Sequence, residues 1–212
     1  MSTLIYMKIL EQTPEKYDRG MRILTFGRID RIKREIALTQ VEAGDEVLEI
    51  GCGTGTLAAM MSARGAHVVG IDISEGMLAA ARRNAPEAEF IHMTATEIGR
   101  LGKERFDRIV ATLSFSELTE DELDLVLQAS TVLLKAGGKL VVADEVLPCR
   151  WWSRVAARLI RWPLAAITFL LTQNTTHALR MFEARLGRAG FEVASRKDHL
   201  FGTLALIKAE KS

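Results

Sequence analysis

The sequence predicts an α/β fold: a doubly wound, mostly parallel sheet with helices on both faces. Three observations carry this. Short runs, several of them rich in Val and Ile, alternate with helical patterns from residue 46 onward. A glycine-rich turn joins the first of these runs to a helix. The tail holds two strand-like runs with only a short polar link, which read as a hairpin that adds an antiparallel strand to the sheet.

The bulk numbers allow this fold and exclude others. A chain of 212 residues suits one α/β domain, taken here as 1–212, with 48% hydrophobic and 26% charged residues. A net charge of +1 gives no global pull toward nucleic acid. The two cysteines, Cys52 and Cys149, form no C-x-x-C pair and no metal-ligand pattern with the four histidines, so no metal is expected. A cytoplasmic setting follows, because Met1–Tyr6 has no signal-peptide pattern and no apolar stretch reaches the ~18 residues of a membrane span.

The elements follow in order. Residues 14–38 read as a basic helical lid, with Ile29, Ile32 and Ile36 on a buried face and Arg19, Arg22, Arg28, Arg31, Lys33 and Arg34 on a solvated one. That basic run is the best argument for RNA, and a weak one. Strands are expected at Glu46–Ile50, 66–71, 89–92, 106–111 and 139–143. Ser74 caps a helix through Asn84; Thr119 with Glu122 fits a capping box, and Gly137-Gly138 stops that helix. Leu179, Phe182, Leu186 and Ala189 recur at helical spacing before Gly190. The hairpin takes 191–196 and 203–209, with His199 in its turn; His67 and His92 fall on strands and read as structural.

Residues 147–176 stand outside this alternation and read as a small cap. Arg150, Arg154, Arg158 and Arg161 form one stripe, and Trp151, Val155, Leu159 and Trp162 a neighbouring one. A basic face beside an aromatic-aliphatic face suits a helix packed over the site. It also suits peripheral contact of 150–171 with anionic lipid at the inner membrane face.

The strongest feature is the turn Glu49-Ile50-Gly51-Cys52-Gly53-Thr54-Gly55. Its glycines permit close backbone approach to a ligand across the strand ends. Asp72 ends the second strand and suits both hydroxyls of a ribose. A dinucleotide pattern would need Gly at position 56, where Thr56 stands. S-adenosylmethionine (SAM) has no phosphate, and its sulfonium and amino groups make a carboxylate such as Glu49 useful beside the turn.

These runs resemble class I SAM-dependent methyltransferases. Val47–Gly55 is similar to their motif I, and 69–78 (VGIDISEGML) to their second motif. Phe106-Asp107 and 133–140 (LLKAGGKL) fit as well, so the resemblance runs in order from about 40 to 210. It implies a Rossmann-like, seven-stranded sheet with an antiparallel last strand. By position it implies that Gly51, Cys52, Gly53 and Gly55 line the methionine end of SAM, and that Glu49 holds its amino group. Asp72 would take the ribose; Ile73 and Met77 would flank the adenine; Thr112 and Leu113 would form the floor near the sulfur. Thr94-Ala95 stands where many members have Asp-Ala facing the adenine amino group. Tyr17 would close over SAM.

On the acceptor side, 111–114 (ATLS) departs from the Asn-Pro-Pro-Tyr of amino-group methyltransferases acting on adenine or glutamine. Cys149 follows a proline, but after the fifth strand, and reads as structural. A small-molecule or lipid acceptor is therefore expected. Lys16-Tyr17-Asp18-Arg19-Gly20-Met21 and Thr25-Phe26-Gly27-Arg28 resemble the opening of the ubiquinone/menaquinone biosynthesis methyltransferases, which implies an apolar, quinone-like acceptor. The same run resembles corrinoid protein-associated methyltransferases, which implies a corrinoid protein as partner. A SAM-binding module without catalysis is a third reading. Tyr17 and His177 are the candidates for a catalytic role, and Asp18 reads as a solvated helix carboxylate.

Overall fold

The computed structural model describes residues 14–146, 178–179 and 181–212. The expected cap at 147–176, with its Trp-Arg stripes and Cys149, lies outside the described residues, and so does His177.

Among the described residues two helices precede the sheet, both in the region of the expected helical lid at 14–38. The first, α1, spans Pro14–Leu24, and the second, α2, spans Arg28–Thr39. Between them Phe26 and Gly27 take left-handed conformations, with φ of 50° and 68°, and the Thr25 hydroxyl donates to the Met21 carbonyl at 2.7 Å. The isoleucine stripe of α2 is buried as its spacing requires.

Strand β1 (Glu46–Ile50) leads through the glycine turn to α3 (Thr56–Ser62) and then β2 (His67–Asp72). Helix α4 (Glu75–Asn84) begins where expected, with the Ser74 hydroxyl accepting from the Met77 N–H. Strands β3 (Glu89–His92) and β4 (Phe106–Thr112) follow. Helix α5 (Glu120–Leu133) carries the full Thr119–Glu122 capping box.

The end of α5 corrects the sequence reading. The helix stops at Leu133, and β5 (Leu134–Glu145) already contains Gly137-Gly138. Leu133 and Leu134 are both fully buried, so the chain turns into the sheet to keep two consecutive leucines inside. The glycines absorb a register shift on β4, from Phe106↔Leu134 to Arg108↔Lys139. The last helix is also shorter than its spacing suggested. Helix α6 spans Phe182–Arg188, while Leu179 pairs with Val146 in an isolated bridge and reaches the core from there.

Strands β6 (Phe191–His199) and β7 (Leu204–Lys211) form the expected hairpin. His199 ends β6 and does not sit in the turn. The sheet order is β3-β2-β1-β4-β5-β7-β6. Strands β1 to β5 pair in parallel, and β7 runs antiparallel to both of its neighbours. The seven-stranded Rossmann-like sheet is thus the observed one.

Side-chain alternation along the strands divides the core into two layers. Leu48, Ile50, Ile71, Ile109 and Val142 face α5 and α6 through Val126, Leu127, Phe182 and Leu186. Val47, Val68, Val110 and Val141 face α2 and α3 through Ile32, Ile36, Leu57 and Met61. Helix α2 is therefore part of a packed layer, and its orientation over the strand ends is fixed by burial. Chain order reverses between β1 and β4, which opens a crevice at their carboxyl ends. Among the described residues no helix is long and apolar enough to cross a membrane.

Candidate functional site

The crevice is built around the turn after β1. The N–H groups of Gly51 and Cys52 both donate to the Ile71 carbonyl, at 2.9 and 3.0 Å, which fastens the turn to the end of β2. The three glycines then serve different ends. Gly51 has φ of 70°, and a Cβ there would lie 2.5 Å from the Ser114 Cβ. Gly55, in the left-handed conformation that starts α3, would place a Cβ 2.9 Å from Ala81. Gly53, with φ of 52°, faces open space. Two glycines serve packing, and the middle one leaves a backbone face bare for a ligand.

Asp72 belongs to this turn as well. Its Oδ2 accepts from the Gly53 N–H at 2.8 Å and its Oδ1 from the Ser74 N–H at 2.9 Å. Burial raises its carboxyl above the usual range, and these N–H groups work against that. Each oxygen keeps a lone pair for a further donor, so the carboxylate can hold its own loop and a ligand hydroxyl together.

Glu49 lies beneath, 1% exposed, and its Oε2 has no hydrogen-bond partner. Burial pushes its carboxyl up to about 8, while Lys33 and the Ala58 N–H pull the other way. A buried, unsatisfied carboxylate beside an open backbone face is what a cationic amino group would complete.

Helix α1 closes one side. The Thr54 hydroxyl donates to Asp18 Oδ2 at 2.8 Å, and Asn84 Nδ2 donates to the Thr54 carbonyl at 2.9 Å. Asp18 is therefore a tether, and the expectation of a solvated carboxylate is corrected. Tyr17 is half-buried over the same recess. Burial, together with Glu117, Asp72, Asp18 and Asp144, drives its hydroxyl well above the ordinary tyrosine range. It stays protonated at neutral pH, which suits a hydrogen-bond donor and excludes a proton acceptor.

The recess opens to solvent between α1, α2 and the glycine turn. Of the predicted residues it gathers Tyr17, Gly51, Cys52, Gly53, Thr112 and Leu113. Cys52 is buried, and burial raises its thiol well above the usual range, so it is a neutral wall. Leu113 adopts φ of 56°, a strained conformation for leucine, at the point where β4 leaves the sheet. Ile73, Thr94 and Ala95 stand apart, at the ends of β2 and β3 on the other side of Asp72. Ile73 is 56% exposed there and Met77 is buried in the first turn of α4.

Sequence reasoning missed several groups. Lys33, placed on a solvated face, lines the recess with Ile29 one helical turn before it. The signal was present, because positions 29 and 33 share a helix face. Asp144 on β5 is 1% exposed and accepts from the N–H groups of Phe115 at 2.8 Å, Ser116 at 3.1 Å and Glu145 at 2.7 Å. It holds the segment after β4, and burial pushes its carboxyl up to about 6. Glu117, next on that segment, keeps an exposed side but is crowded by the fold. That crowding, with Asp144 and Asp72, pushes its carboxyl up to about 7. Among the described residues no cluster of His, Cys, Asp and Glu could hold a metal.

Comparisons with known proteins agree with this geometry. The sequence profile of a family described as "Methyltransferase domain" matches residues 47–138. A demethylmenaquinone methyltransferase of Clavibacter sepedonicus is 32% identical over 147 residues, 66% of this chain and 58% of that protein. A demethylmenaquinone methyltransferase of Tropheryma whipplei is 28% identical over 217 residues, 95% of this chain and 90% of that one. The crystal structure of magnesium protoporphyrin IX methyltransferase from Synechocystis with bound SAM shares the fold, with a TM-score of 0.64 and 19% identity over 92% of this chain and 83% of its own.

Proposed function

The chain belongs to the class I SAM-dependent methyltransferases, and from that premise we propose that its methyl acceptor is a small, apolar, quinone-like molecule. The observation that carries the acceptor is the nearly end-to-end match to the demethylmenaquinone methyltransferase of Tropheryma whipplei, 95% of this chain. The match extends well beyond residues 47–138, which the methyltransferase-domain family covers.

The residues fit the cofactor. The unpartnered Oε2 of Glu49 suits its ammonium group, and the bare face at Gly53 suits the passage of its methionine chain. Asp72 would take the ribose hydroxyls with the lone pairs its loop leaves free. Gly51, Cys52 and Gly55 shape the turn; Thr112 and Leu113 form its floor, and Tyr17 donates from α1. Ile73, Met77, Thr94 and Ala95 stand on the adenine side. When bound, SAM supplies a methyl carbon on a sulfonium, which a nucleophilic atom can take as the carbon–sulfur bond breaks and the pair returns to sulfur. The protein's share is alignment and exclusion of water.

A quinol ring carbon loses a proton once it is methylated, so this acceptor calls for a base. We assign that task to Glu117, which lies outside the lining of the recess but whose charge is felt at Tyr17 within it. It is held on the segment that Asp144 fixes, and its carboxyl is poised near neutrality.

Incubation with methyl-labelled SAM tests the reading. Label entering a reduced demethylated quinone from a lipid extract supports it. Label that appears only when a purified corrinoid protein is added overturns it in favour of a protein partner, and tight SAM binding with no transfer to any fraction leaves a binding module.

A further inference from the structure

We infer that the turn between α1 and α2 and the turn between β6 and β7 form one surface that docks on an anionic lipid bilayer, with Phe26 and Phe201 entering it. This surface is distinct from the Trp-Arg stripes at 150–171. It does not depend on the quinone reading, since any acceptor dissolved in a bilayer would be met the same way.

The two turns lie side by side at the carboxyl edge of the sheet. Strand β6 runs parallel to β5 across β7, so His199 stands level with Glu145 at that edge. Helix α2 runs the opposite way, in step with β6. Lys197 Nζ donates to Glu35 at 2.9 Å. Two helical turns earlier on α2, Arg28 lies beside His199. Burial lowers the basicity of that ring, and the charges of Lys197 and Arg28 are felt there as well. The next residues outward on the two chains lead to Phe26 and Phe201.

Both phenylalanines are held in the open. Phe26 is 70% and Phe201 68% exposed, and Ile23 is 67% exposed. The Phe26 N–H donates to the Ile23 carbonyl at 3.1 Å, so these two share one turn. Phe26 and Phe201 have φ of 50° and 58°, in the left-handed region that bulky side chains avoid. Strain and exposure together disfavour phenylalanine on a surface that meets only water. Met21 and Ile29, on either side of the α1–α2 turn, line the recess, so this apolar tip stands at its mouth.

The charge around the tip selects the partner. The acids nearby are engaged: Asp30 pairs with Arg22 and Asp198 with Arg196, each at 2.7 Å, and Glu35 holds Lys197. Arg19, one turn before Ile23, and Arg28 and Arg31, in the first turn of α2, are exposed. Among the described residues none of the ion pairs within 4 Å engages these three arginines. Apolar side chains rimmed by unpaired arginines suit an anionic bilayer, where the rings enter the acyl boundary and the guanidinium groups meet phosphate. Docked this way, the recess opens onto the lipid.

Co-sedimentation with vesicles tests this on the whole chain. Vesicles of phosphatidylcholine and phosphatidylglycerol, about three parts to one, are compared with vesicles of phosphatidylcholine alone. The unaltered protein should sediment with the anionic vesicles and detach as salt is raised. Phe26→Ser with Phe201→Ser should weaken that binding roughly 10- to 100-fold, as expected for two rings withheld from the bilayer. Arg28→Glu with Arg31→Glu should weaken it as well. Leu125→Ser, at a residue 56% exposed on α5, should bind as the unaltered protein does. The phenylalanine variant should keep its melting temperature, and its S-adenosylhomocysteine affinity within about twofold, which separates lost docking from lost folding. A matching loss of that affinity would show a role inside the recess and overturn the assignment. Failure of the unaltered protein to bind anionic vesicles, equal binding to both compositions, or undiminished binding by the phenylalanine variant also overturns it. Capture of single-stranded RNA in place of vesicles overturns it in favour of nucleic acid. None of these outcomes touches the acceptor reading, which stands or falls on label transfer.

Discussion

The Thr54 hydroxyl donates to Asp18 across 36 positions of sequence, at 2.8 Å, and so joins α1 to the glycine turn. Thr54 is 3% exposed, so this bond is sheltered from water. Removing either partner should loosen α1 over the recess more than it unfolds the sheet. Thr54→Val and Asp18→Asn are each expected to weaken S-adenosylhomocysteine binding by about 5- to 10-fold. The double variant should lose little more than either single one, a coupling of about 1 kcal/mol. Additive losses in calorimetry would mean that the two residues act separately.

The glycines at 51 and 53 should respond differently to the same substitution. Both have positive φ, which costs alanine about 1–2 kcal/mol. At Gly51 the new Cβ would also fall 2.5 Å from Ser114, whose hydroxyl is bonded to the Ile50 carbonyl at 2.8 Å and cannot yield freely. Gly51→Ala should therefore melt far below the unaltered protein or fail to fold. Gly53→Ala should fold, with the loss set by φ alone, because its Cβ meets nothing within 4 Å. Its damage should fall on cofactor affinity. Equal melting temperatures for the two variants would contradict this division.

Much of this was legible in the residue pattern, for physical reasons that also mark where legibility ends. Apolar runs located the central strands, because parallel strands buried on both faces must be apolar, and the last two were readable as a hairpin from their short polar link. Caps at Ser74 and Thr119 were readable because a hydroxyl at that position satisfies a free N–H. The end of α5 was misread because Gly137-Gly138 can stop a helix or absorb a strand irregularity, and only the burial of Leu134 on the sheet decides between them. Lys33 and Asp18 were misread for a related reason. A charged residue on an amphipathic helix is assigned to solvent by default, and what overrides the default is a neighbouring element that local periodicity does not contain. Glu117 and Asp144 carried no motif at all; they matter because β4 and β5 end side by side.

The buried acid Glu49 ties stability to binding. Its carboxyl is raised to about 8 in the folded chain, against an ordinary value of 4.5. The folded state therefore holds a proton that the unfolded state releases, and stability falls as pH rises from about 4.5 toward 8, then levels. Glu49→Gln removes that slope. At pH 8.5 the ligand-free variant should melt roughly 4–8 °C above the unaltered protein, as expected for a gain of about 2 kcal/mol in a chain of this size. The gap should close at pH 4.5. At pH 8.5 S-adenosylhomocysteine should bind the variant more weakly, because the ammonium loses its counter-charge, and the difference should shrink toward pH 4.5 as the carboxyl of the unaltered protein takes up its proton. A variant less stable than the parent at pH 8.5 would show that the carboxylate is compensated in the empty site.

Glu117 sets the pH dependence of catalysis if it is the base. Its carboxyl is poised near 7, raised by crowding and by the carboxylates of Asp144 and Asp72. A base must be ionised to accept a proton, so kcat/KM toward a reduced quinone should rise with pH and reach a plateau above about 7. Glu117→Gln should lower kcat by roughly 100- to 1000-fold and abolish that limb, with S-adenosylhomocysteine affinity nearly unchanged. The affinity is the control, because a structural collapse of the segment after β4 would also disturb Leu113 in the floor of the recess. Glu117→Asp should retain the limb with reduced kcat, since the shorter side chain keeps the charge and loses reach. A flat profile in the unaltered protein would point to an acceptor that arrives already ionised, and Glu117 would then have no proton to take.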